Sequence, residues 1–280
     1  MNRFFKGYYF KCSTNERTIA CIPALHCDGR KRSASLQVIT NERAYQLDFL
    51  DAKLDRGRLR IQMGDNFFSE KGMKLSSENG NLSIKGKVVF GPLQRLKYDI
   101  MGPFALVPFM QCRHEVVSMY HTVTGKIRIN GEQYVFDRGR GYVEGDRGRS
   151  FPEEYLWTQC HFGRGSLMMS VAKIPFCGGS FWGTIGVVML DGREYRFATY
   201  LGARIFFCGK RSVVIRQGDY ELAAKLLEPS ARTLRAPVKG KMKRRIRESV
   251  ECGAYYRLSC RGKNLLEFTS RRASFEYEFY

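Results

Sequence analysis

The sequence contains little tryptophan, histidine and proline, and its cysteines form no paired motif. Among 280 residues there are two Trp, four His and eight Pro, and none of the nine Cys belongs to a Cys-x-x-Cys pair or a zinc-spaced Cys/His group. An odd cysteine count without a pairing pattern predicts reduced thiols rather than a disulfide framework. The sequence also has no P-loop, Gly-x-Ser-x-Gly, His-Glu-x-x-His or dinucleotide fingerprint. It therefore lacks the motifs of P-loop nucleotide-binding proteins, serine hydrolases, zinc metalloproteases and dinucleotide-dependent enzymes.

Long apolar runs are scarce as well. The amino terminus has no continuous apolar segment of the kind found in signal peptides. Residues 174–190 carry no charge, but they include Pro175 and four glycines, which favour two buried strands around a turn over a membrane helix. We therefore expect a soluble, cytoplasmic protein.

Basic residues outnumber acidic ones throughout the chain. The net charge is +20, and each half contributes equally. Residues 232–247 hold eight basic residues and no acidic one. This run is either a basic loop joining two strands or a weak contact for an anionic membrane. Because it has almost no aromatic residues to stack on bases, we expect no specific nucleic acid partner.

Alternation with a period of two is the main structural signal. Apolar and charged residues alternate over 58–63, 82–90 and 275–279, which is typical of half-buried strands. Asn79-Gly80, Asn130-Gly131 and Asp191-Gly192 lie between such runs and favour tight hairpins. Residues 220–227 also alternate, so we predict a strand there. Many short antiparallel strands predict an all-β protein, a barrel or a sandwich.

A weak internal echo suggests two copies of one architecture. Gly7-Tyr8 opens the first half and Gly141-Tyr142 opens a similar run 134 residues later. A new hairpin starts just after residue 122. We therefore predict two β domains, residues 1–122 and 123–280.

The segment 139–152 carries the strongest chemical signal. It combines four glycines, three arginines and the carboxylates of Glu144 and Asp146. On a strand, residues two apart share a face, so both carboxylates would lie beside Tyr142. Paired carboxylates near aromatic rings can act as general acids. The alternative is a solvated loop in which Arg147 and Arg149 neutralise them.

The same segment begins a run with the pattern Gly-Tyr-x-Glu-x-Asp, Phe-Pro and Trp-x-Gln over residues 141–162. This run resembles the signature of the tocopherol cyclase-like family. Further similarities to that family occur in order along the chain, over residues 5–11, 100–114, 172–175 and 195–200. The chain departs from the family pattern at Gln111, Arg147 and His161, where Glu, Trp and Asn are common.

The resemblance implies two lipocalin-like antiparallel β-barrel domains packed together. Plant members of the family close a chromanol ring by protonating a prenyl double bond. We accordingly expect a prenylated or polyene small molecule as ligand, Asp146 or Glu144 as the acid, and Tyr155 or His161 as the group that orients the nucleophilic hydroxyl. The remaining expected ligand-binding residues are Tyr142, Trp157, Gln159, Trp182, Tyr200, Arg204 and His114.

Three functions stay open from the sequence. The first is a cyclase- or hydratase-like catalyst, a candidate isomerase, acting on a prenylated or polyene substrate without a metal or an organic cofactor. The second is a non-catalytic lipid- or isoprenoid-binding protein, and the third is a basic-surface protein that docks on anionic membrane or nucleic acid. His114 and His121 are seven residues apart, so they face opposite sides of a strand; we expect packed, hydrogen-bonded histidines rather than a shared metal site.

Overall fold

The computed structural model describes residues 3–55, 57–107, 110–176, 178–229 and 232–279. Positions 108 and 109 of the family-like segment and Cys177 lie outside these ranges, as does the side chain of Lys243 within the basic run. The described residues form strands and two short 3-10 helices, Gly102–Leu106 and Thr199–Leu201, with no α-helix among them. The all-β prediction is therefore confirmed. In the described part of the chain, no helix has the length and apolar character needed to cross a membrane.

Two antiparallel sheets contain nearly all of the strands. The first sheet is built from β1 (Phe4–Ser13), β2 (Thr18–Cys27), β3 (Arg32–Thr40), β4 (Ala44–Phe49), β5 (Lys53–Leu54), β6 (Arg60–Met63), β7 (Asn66–Ser69), β8 (Gly72–Asn79), β9 (Leu82–Phe90), β10 (Cys112–Ile129) and β11 (Glu132–Gly148). The second is built from β12 (Tyr155–Phe162), β13 (Gly165–Phe176), β14 (Gly179–Leu190), β15 (Arg193–Ala198), β16 (Arg204–Gly209), β17 (Ser212–Gln217), β18 (Tyr220–Glu228), β19 (Arg232–Val238), β20 (Lys241–Cys260) and β21 (Lys263–Glu278).

The local sequence signals give the strands and turns correctly. Asn130-Gly131 and Asp191-Gly192 form the turns between their strands, and Asn130 and Asp191 adopt positive φ angles of 48° and 50° there, whereas Asn79 ends β8 and the turn starts at Gly80. The charge-free run 174–190 comprises the carboxyl end of β13 and the whole of β14, which pair with each other as predicted. Residues 220–227 form most of β18, which confirms the strand prediction.

Both sheets follow the same winding. In the first, the strand order is β4-β3-β2-β1-β11-β10-β9-β8-β7-β6-β5; in the second, it is β15-β14-β13-β12-β21-β20-β18-β17-β16, with β19 paired to β20. In each case a meander of four strands pairs its first strand with a late, long strand. The predicted repeat is thus present, but the 134-residue offset is wrong. The counterpart of β1 is β12, whereas Gly141 lies on β11, opposite Cys12 of β1.

The chain divides into two compact units that interleave in sequence. The first comprises residues up to 96, 114–150 and 237–243; the second comprises residues 97–113, 151–236 and from 244 onward. The predicted boundary after residue 122 falls within β10, in a part of that strand that belongs to the first unit. Residues on both sides of position 122 lie in the first unit, and residues 123–129 of β10 pair with β9 of the same unit, so the units do not divide there.

Each unit has its own hydrophobic core on one face of its sheet. Phe10, Leu36 and Phe68 are fully buried in the first core. Leu156, Phe197 and Tyr256 belong to the second. Burying large apolar side chains of this kind supplies most of the free energy that favours folding.

An irregularity in β11 decides which side chains reach the first core. Arg138 has a positive φ of 49° within the strand. Phe136 before it and Val143 after it both belong to the core, although they are seven residues apart. The alternation therefore changes face between them, as at a β-bulge. As a result, Tyr142, Glu144 and Asp146 lie on the face opposite Val143.

Candidate acid–base site

Two strands of the first unit bring a histidine to the carboxylates. β10 contributes His114, and β11 contributes Glu144 and Asp146, which share a face as the sequence predicted. The imidazole Nδ1 of His114 lies 3.1 Å from Asp146 Oδ1, and Nε2 lies 3.3 Å from Glu144 Oε2. The side chains of His114 and Glu144 are only 11% and 7% exposed, whereas that of Asp146 is 25% exposed. Asp146 is thus the more accessible of the two carboxylates.

These contacts favour the charged form of the histidine. The contact of Nδ1 with Asp146 is a hydrogen bond, whereas Nε2 lies close to Glu144 without hydrogen-bond geometry. Burial by itself lowers the pKa of His114, but the charges of Glu144 and Asp146, together with hydrogen bonding, outweigh burial and raise that pKa well above 6.5. His114 therefore holds a proton at neutral pH. This imidazolium is a cation that faces both carboxylates, whereas Arg147 and Arg149 are exposed.

A tyrosine completes the cluster. The hydroxyl of Tyr142 donates to Glu144 Oε2 over 2.5 Å, so this oxygen faces both the phenol and the imidazolium. Burial, then the charge of Glu144, raises the pKa of Tyr142 well above 10. The phenol consequently stays protonated. Across the strand pair, the fully buried Lys11 lies opposite Tyr142, and Gly7 lies opposite Asp146.

The glycines of this segment make room on the other face of β11. A Cβ at Gly141 would lie 2.1 Å from Nε2 of His121, and a Cβ at Gly145 would lie 2.7 Å from the ring of Tyr8. Neither contact is possible for a larger residue without displacing these rings. The glycine-rich composition therefore reflects close packing of the core face behind the carboxylates.

His121 is a core histidine, as the sequence predicted. Its Nδ1 lies 3.0 Å from the hydroxyl of Ser118, and its ring centroid lies 4.4 Å from that of Phe90. Burial lowers the pKa of His121 to about 4, so the ring is neutral. His114 is also packed and hydrogen-bonded, as predicted, but its partners are two carboxylates from a strand some thirty residues away.

The side chains of His114, Glu144 and Asp146 are also of the types that bind metal ions. Their ligand atoms lie within 4.8 Å of one another. However, each ring nitrogen of His114 already faces a carboxylate oxygen, and a metal ion would have to replace the proton that these contacts stabilise. We therefore assign a proton to the cluster. The short residue spacings that are typical of zinc sites do not occur in this group, because 30 residues separate His114 from Glu144.

The other expected site residues lie in the second unit. The hydroxyl of Tyr155 donates to the buried Glu276, and its ring meets Phe151 edge-on at 6.2 Å. Trp157 and Gln159 are buried on the same face of β12 as Tyr155. His161, at the end of β12, is partly exposed beside an open cavity of about 450 Å³.

Three further expected residues lie at the surface or in structural contacts of the second unit. Trp182 is 38% exposed and stacks on Phe279 with ring centroids 6.0 Å apart. Tyr200 donates to the carbonyl of Ile100 over 3.1 Å. Arg204 is exposed on β16. The structure thus brings together four of the eleven expected residues, namely His114, Tyr142, Glu144 and Asp146.

The second unit also contains a buried charge cluster that we did not predict from the sequence. The guanidinium of Arg196 donates to Glu194 Oε1 over 2.7 Å and to the carbonyls of Tyr98 and Asp99 over 2.9 and 2.8 Å. It also lies 3.6 Å from the ring centroid of Tyr98. These contacts attach the segment 97–113 to β15.

The basic run 232–247 forms β19 and the start of β20. Lys241 lies 3.5 Å from Asp28, and Arg244 donates to the carbonyls of Pro152 and Glu153. Arg245 and Arg247 are exposed on alternate positions of β20. The run is therefore paired strand rather than loop, and part of its charge is already used in contacts within the protein.

The fold and the cluster together define a class of protein: an all-β protein with two lipocalin-like domains and a buried, proton-holding polar cluster. The chain belongs to the tocopherol cyclase-like family, whose model matches residues 42–277. This match confirms the resemblance seen in the sequence. No curated protein sequence matches the chain significantly.

Solved structures of similar fold cover almost the whole chain. Kievitone hydratase from Nectria haematococca is 10% identical with a TM-score of 0.57, covering 99% of this chain and 89% of its own. An AttH-like protein from Nitrosomonas europaea is 11% identical with a TM-score of 0.58, covering 98% and 92%. CghA, solved with Sch210972, is 9% identical with a TM-score of 0.59, covering 99% and 89%. At these identities the similarity shows the fold, which confirms the two-domain lipocalin-like prediction.

Proposed function

We propose that the protein is an acid–base catalyst that adds water or an internal hydroxyl group to an alkene of an apolar, prenylated or polyene substrate. The observation that carries this proposal is the buried imidazolium of His114 between Glu144 and Asp146. Membership of the tocopherol cyclase-like family supports it. The name of one protein of similar fold, a hydratase, is consistent with it.

The cluster would store a proton on one residue and deliver it through another. The imidazolium is a weak acid, but transfer of its Nδ1 proton to Asp146 creates a carboxylic acid, which is a stronger proton donor. Asp146 is also the more exposed of the two carboxylates. Protonation of one alkene carbon breaks the π bond and leaves a carbocation on the other carbon.

The remaining groups would complete the reaction. The negative charge of Glu144, held by Tyr142 and His114, stabilises the carbocation electrostatically. Water or a substrate hydroxyl then forms the new C–O bond, and its proton returns to the cluster, where neutral His114 accepts it. Protons and electrons balance, and every proton transfer uses residues of the cluster.

The test is a deuterium-incorporation assay with a phenol that carries an ortho-prenyl group. In D₂O, turnover places one non-exchangeable deuterium on the protonated carbon, which mass spectrometry detects. We expect Asp146→Asn and His114→Gln to lower the rate by about 10²–10⁴-fold while ligand affinity changes little. Glu144→Gln should also lower the rate.

Asp137→Asn is the matched control, because Asp137 is an exposed carboxylate on the same strand. Its rate should equal that of the parent. If the parent and all variants bind the prenylated phenol equally but none turns it over, the protein is a carrier and the catalytic proposal fails. If the cluster variants retain the parent rate, the carboxylates and His114 have a structural role.

A further inference from the structure

An exposed patch of aromatic and basic residues lies on the β16–β17 hairpin of the second unit, away from the polar cluster in sequence. Phe206 and Phe207 are 64% and 51% exposed, although neighbouring residues of a strand normally point to opposite faces. The pairing of β16 with β17 shifts register between Ile205 and Phe207. This bulge turns both rings outward.

Apolar side chains of the next strands extend the patch. Phe207 is paired with Val214 of β17, and Val214 is paired with Ala223 of β18, so the three side chains form a row across the sheet. Leu227 is 41% exposed, and its neighbour Leu226 donates its backbone N–H to the carbonyl of Arg211 at the hairpin tip. Exposed apolar surface of this extent on β-strands is typical of an interaction site.

Positive charge surrounds these apolar residues. Arg204, Lys210, Arg211 and Lys225 are exposed, and among the described residues none of the four is in an ion pair. The hairpin 204–212 contains no acidic residue. The nearby carboxylate of Glu221 is neutralised by Arg216 and Arg257, with N–O distances of 2.8 and 2.5 Å. We call the apolar residues and these four cations the aromatic–basic face.

We propose that the aromatic–basic face docks the protein on an anionic lipid bilayer. Aromatic and aliphatic side chains would enter the interfacial region, while the lysines and arginines would contact acidic headgroups. This surface is separate from the basic run 232–247. A protein that acts on apolar molecules would meet them at such a surface, but the docking surface stands independently of the proposed chemistry.

Two other occupants fit the face less well. The guanidinium of Arg216 lies 3.6 Å from the ring centroid of Phe206 and covers one side of it, which leaves only one side of this ring for base stacking by single-stranded nucleic acid. A second copy of the chain could pair with β16, which ends its sheet, but it would bring a second set of uncompensated cations to the contact.

The experiment measures binding of the full-length protein to sedimented vesicles. We expect binding to vesicles of equimolar phosphatidylcholine and phosphatidylserine, and little binding to phosphatidylcholine alone. The double variant Phe206→Ser/Phe207→Ser and the double variant Lys210→Glu/Arg211→Glu should each weaken binding by about 10-fold or more. In Phe206→Trp, the tryptophan emission should shift to shorter wavelength when the acidic vesicles are added.

The controls are Val135→Ser, which removes an apolar side chain that is 55% exposed on β11, and Lys263→Glu, at the exposed first residue of β21. Both should bind like the parent, and thermal unfolding checks that every variant is folded. Equal binding to neutral vesicles, no binding to acidic ones, or equal loss in the controls would overturn the proposal. So would a concentration-dependent dimer that Phe206→Ser/Phe207→Ser abolishes, or single-stranded DNA binding with the same variant profile and no vesicle binding.

Discussion

At the scale of single residues, the protein environment raises the pKa of His114 above that of a histidine in water. The side chain of His114 lies against two carboxylates from the same strand face, whereas His121, a histidine buried in the core, is neutral. The same residue type thus has opposite pKa shifts a few residues apart. Burial acts on both rings, and the neighbouring charges of Glu144 and Asp146 decide the difference.

The raised pKa of His114 predicts how the free energy of unfolding changes with pH. Because the folded-state pKa is raised above the unfolded value of about 6.5, the stabilisation is fully present below that pH and is lost as the pH rises through the folded pKa. We expect His114→Gln to lower the free energy of unfolding most at pH 6 and progressively less at alkaline pH. Urea unfolding of parent and variant across this range measures the difference. A gap that does not change with pH would contradict the charged assignment.

From the sequence, we expected His114 to be a packed, hydrogen-bonded histidine that helps to bind the ligand. Its role in pairing the carboxylates could not be found from spacing, since the contact depends on how β10 and β11 are aligned. Glu144, Asp146 and Tyr142 could be grouped in advance, because residues two apart on a strand share a face.

At the scale of strands, close backbone packing explains several glycines. Gly125 of β10 has a φ of 136°, and a Cβ there would lie 2.3 Å from the carbonyl oxygen of Lys87 on β9. A backbone oxygen in a hydrogen-bonded strand cannot move aside as the end of a flexible side chain can.

We therefore expect Gly125→Ala to destabilise the protein by about 1–3 kcal/mol, measured by denaturant unfolding. Gly163→Ala is the matched control, because its Cβ would have no atom within 4 Å. It should leave the unfolding free energy nearly unchanged. Equal effects of the two substitutions would show that the close approach at β9 has no energetic consequence.

The contacts of Arg196 make a second prediction at this scale. The side chains of Arg196 and Glu194 are only 5% and 4% exposed. Removing one member of a buried ion pair leaves the other charge uncompensated, so Arg196→Met should cost about 3–5 kcal/mol of unfolding free energy. The double variant Arg196→Met/Glu194→Leu should be less destabilised than the single variant. If it is equally or more destabilised, the charge pair is not the reason for the loss.

At the scale of the whole molecule, the free cysteines agree with the expectation of reduced thiols. Eight of the nine cysteines are in the described residues, and none of these eight is in a disulfide. A structural disulfide of ordinary strength would add about 2–4 kcal/mol and shift Tm by several degrees. We therefore expect that reductant changes Tm by less than about 2 °C in differential scanning calorimetry. A larger decrease would contradict the expected reduced state of the cysteines.

The sequence by itself determined the strands, their turns and the presence of two similar sheets. Alternation and Asn-Gly or Asp-Gly turns are local properties, and each acts within a few residues of the chain. Only the tertiary structure decided where the units divide, because β11 joins the first sheet by pairing with β1, a strand far away in sequence. It also decided the candidate site. The irregularity at Arg138 turns Tyr142, Glu144 and Asp146 away from the core, and strand pairing then places His114 against the carboxylates. Both effects depend on backbone geometry and on the register between β10 and β11, which the residue pattern of either strand alone does not specify.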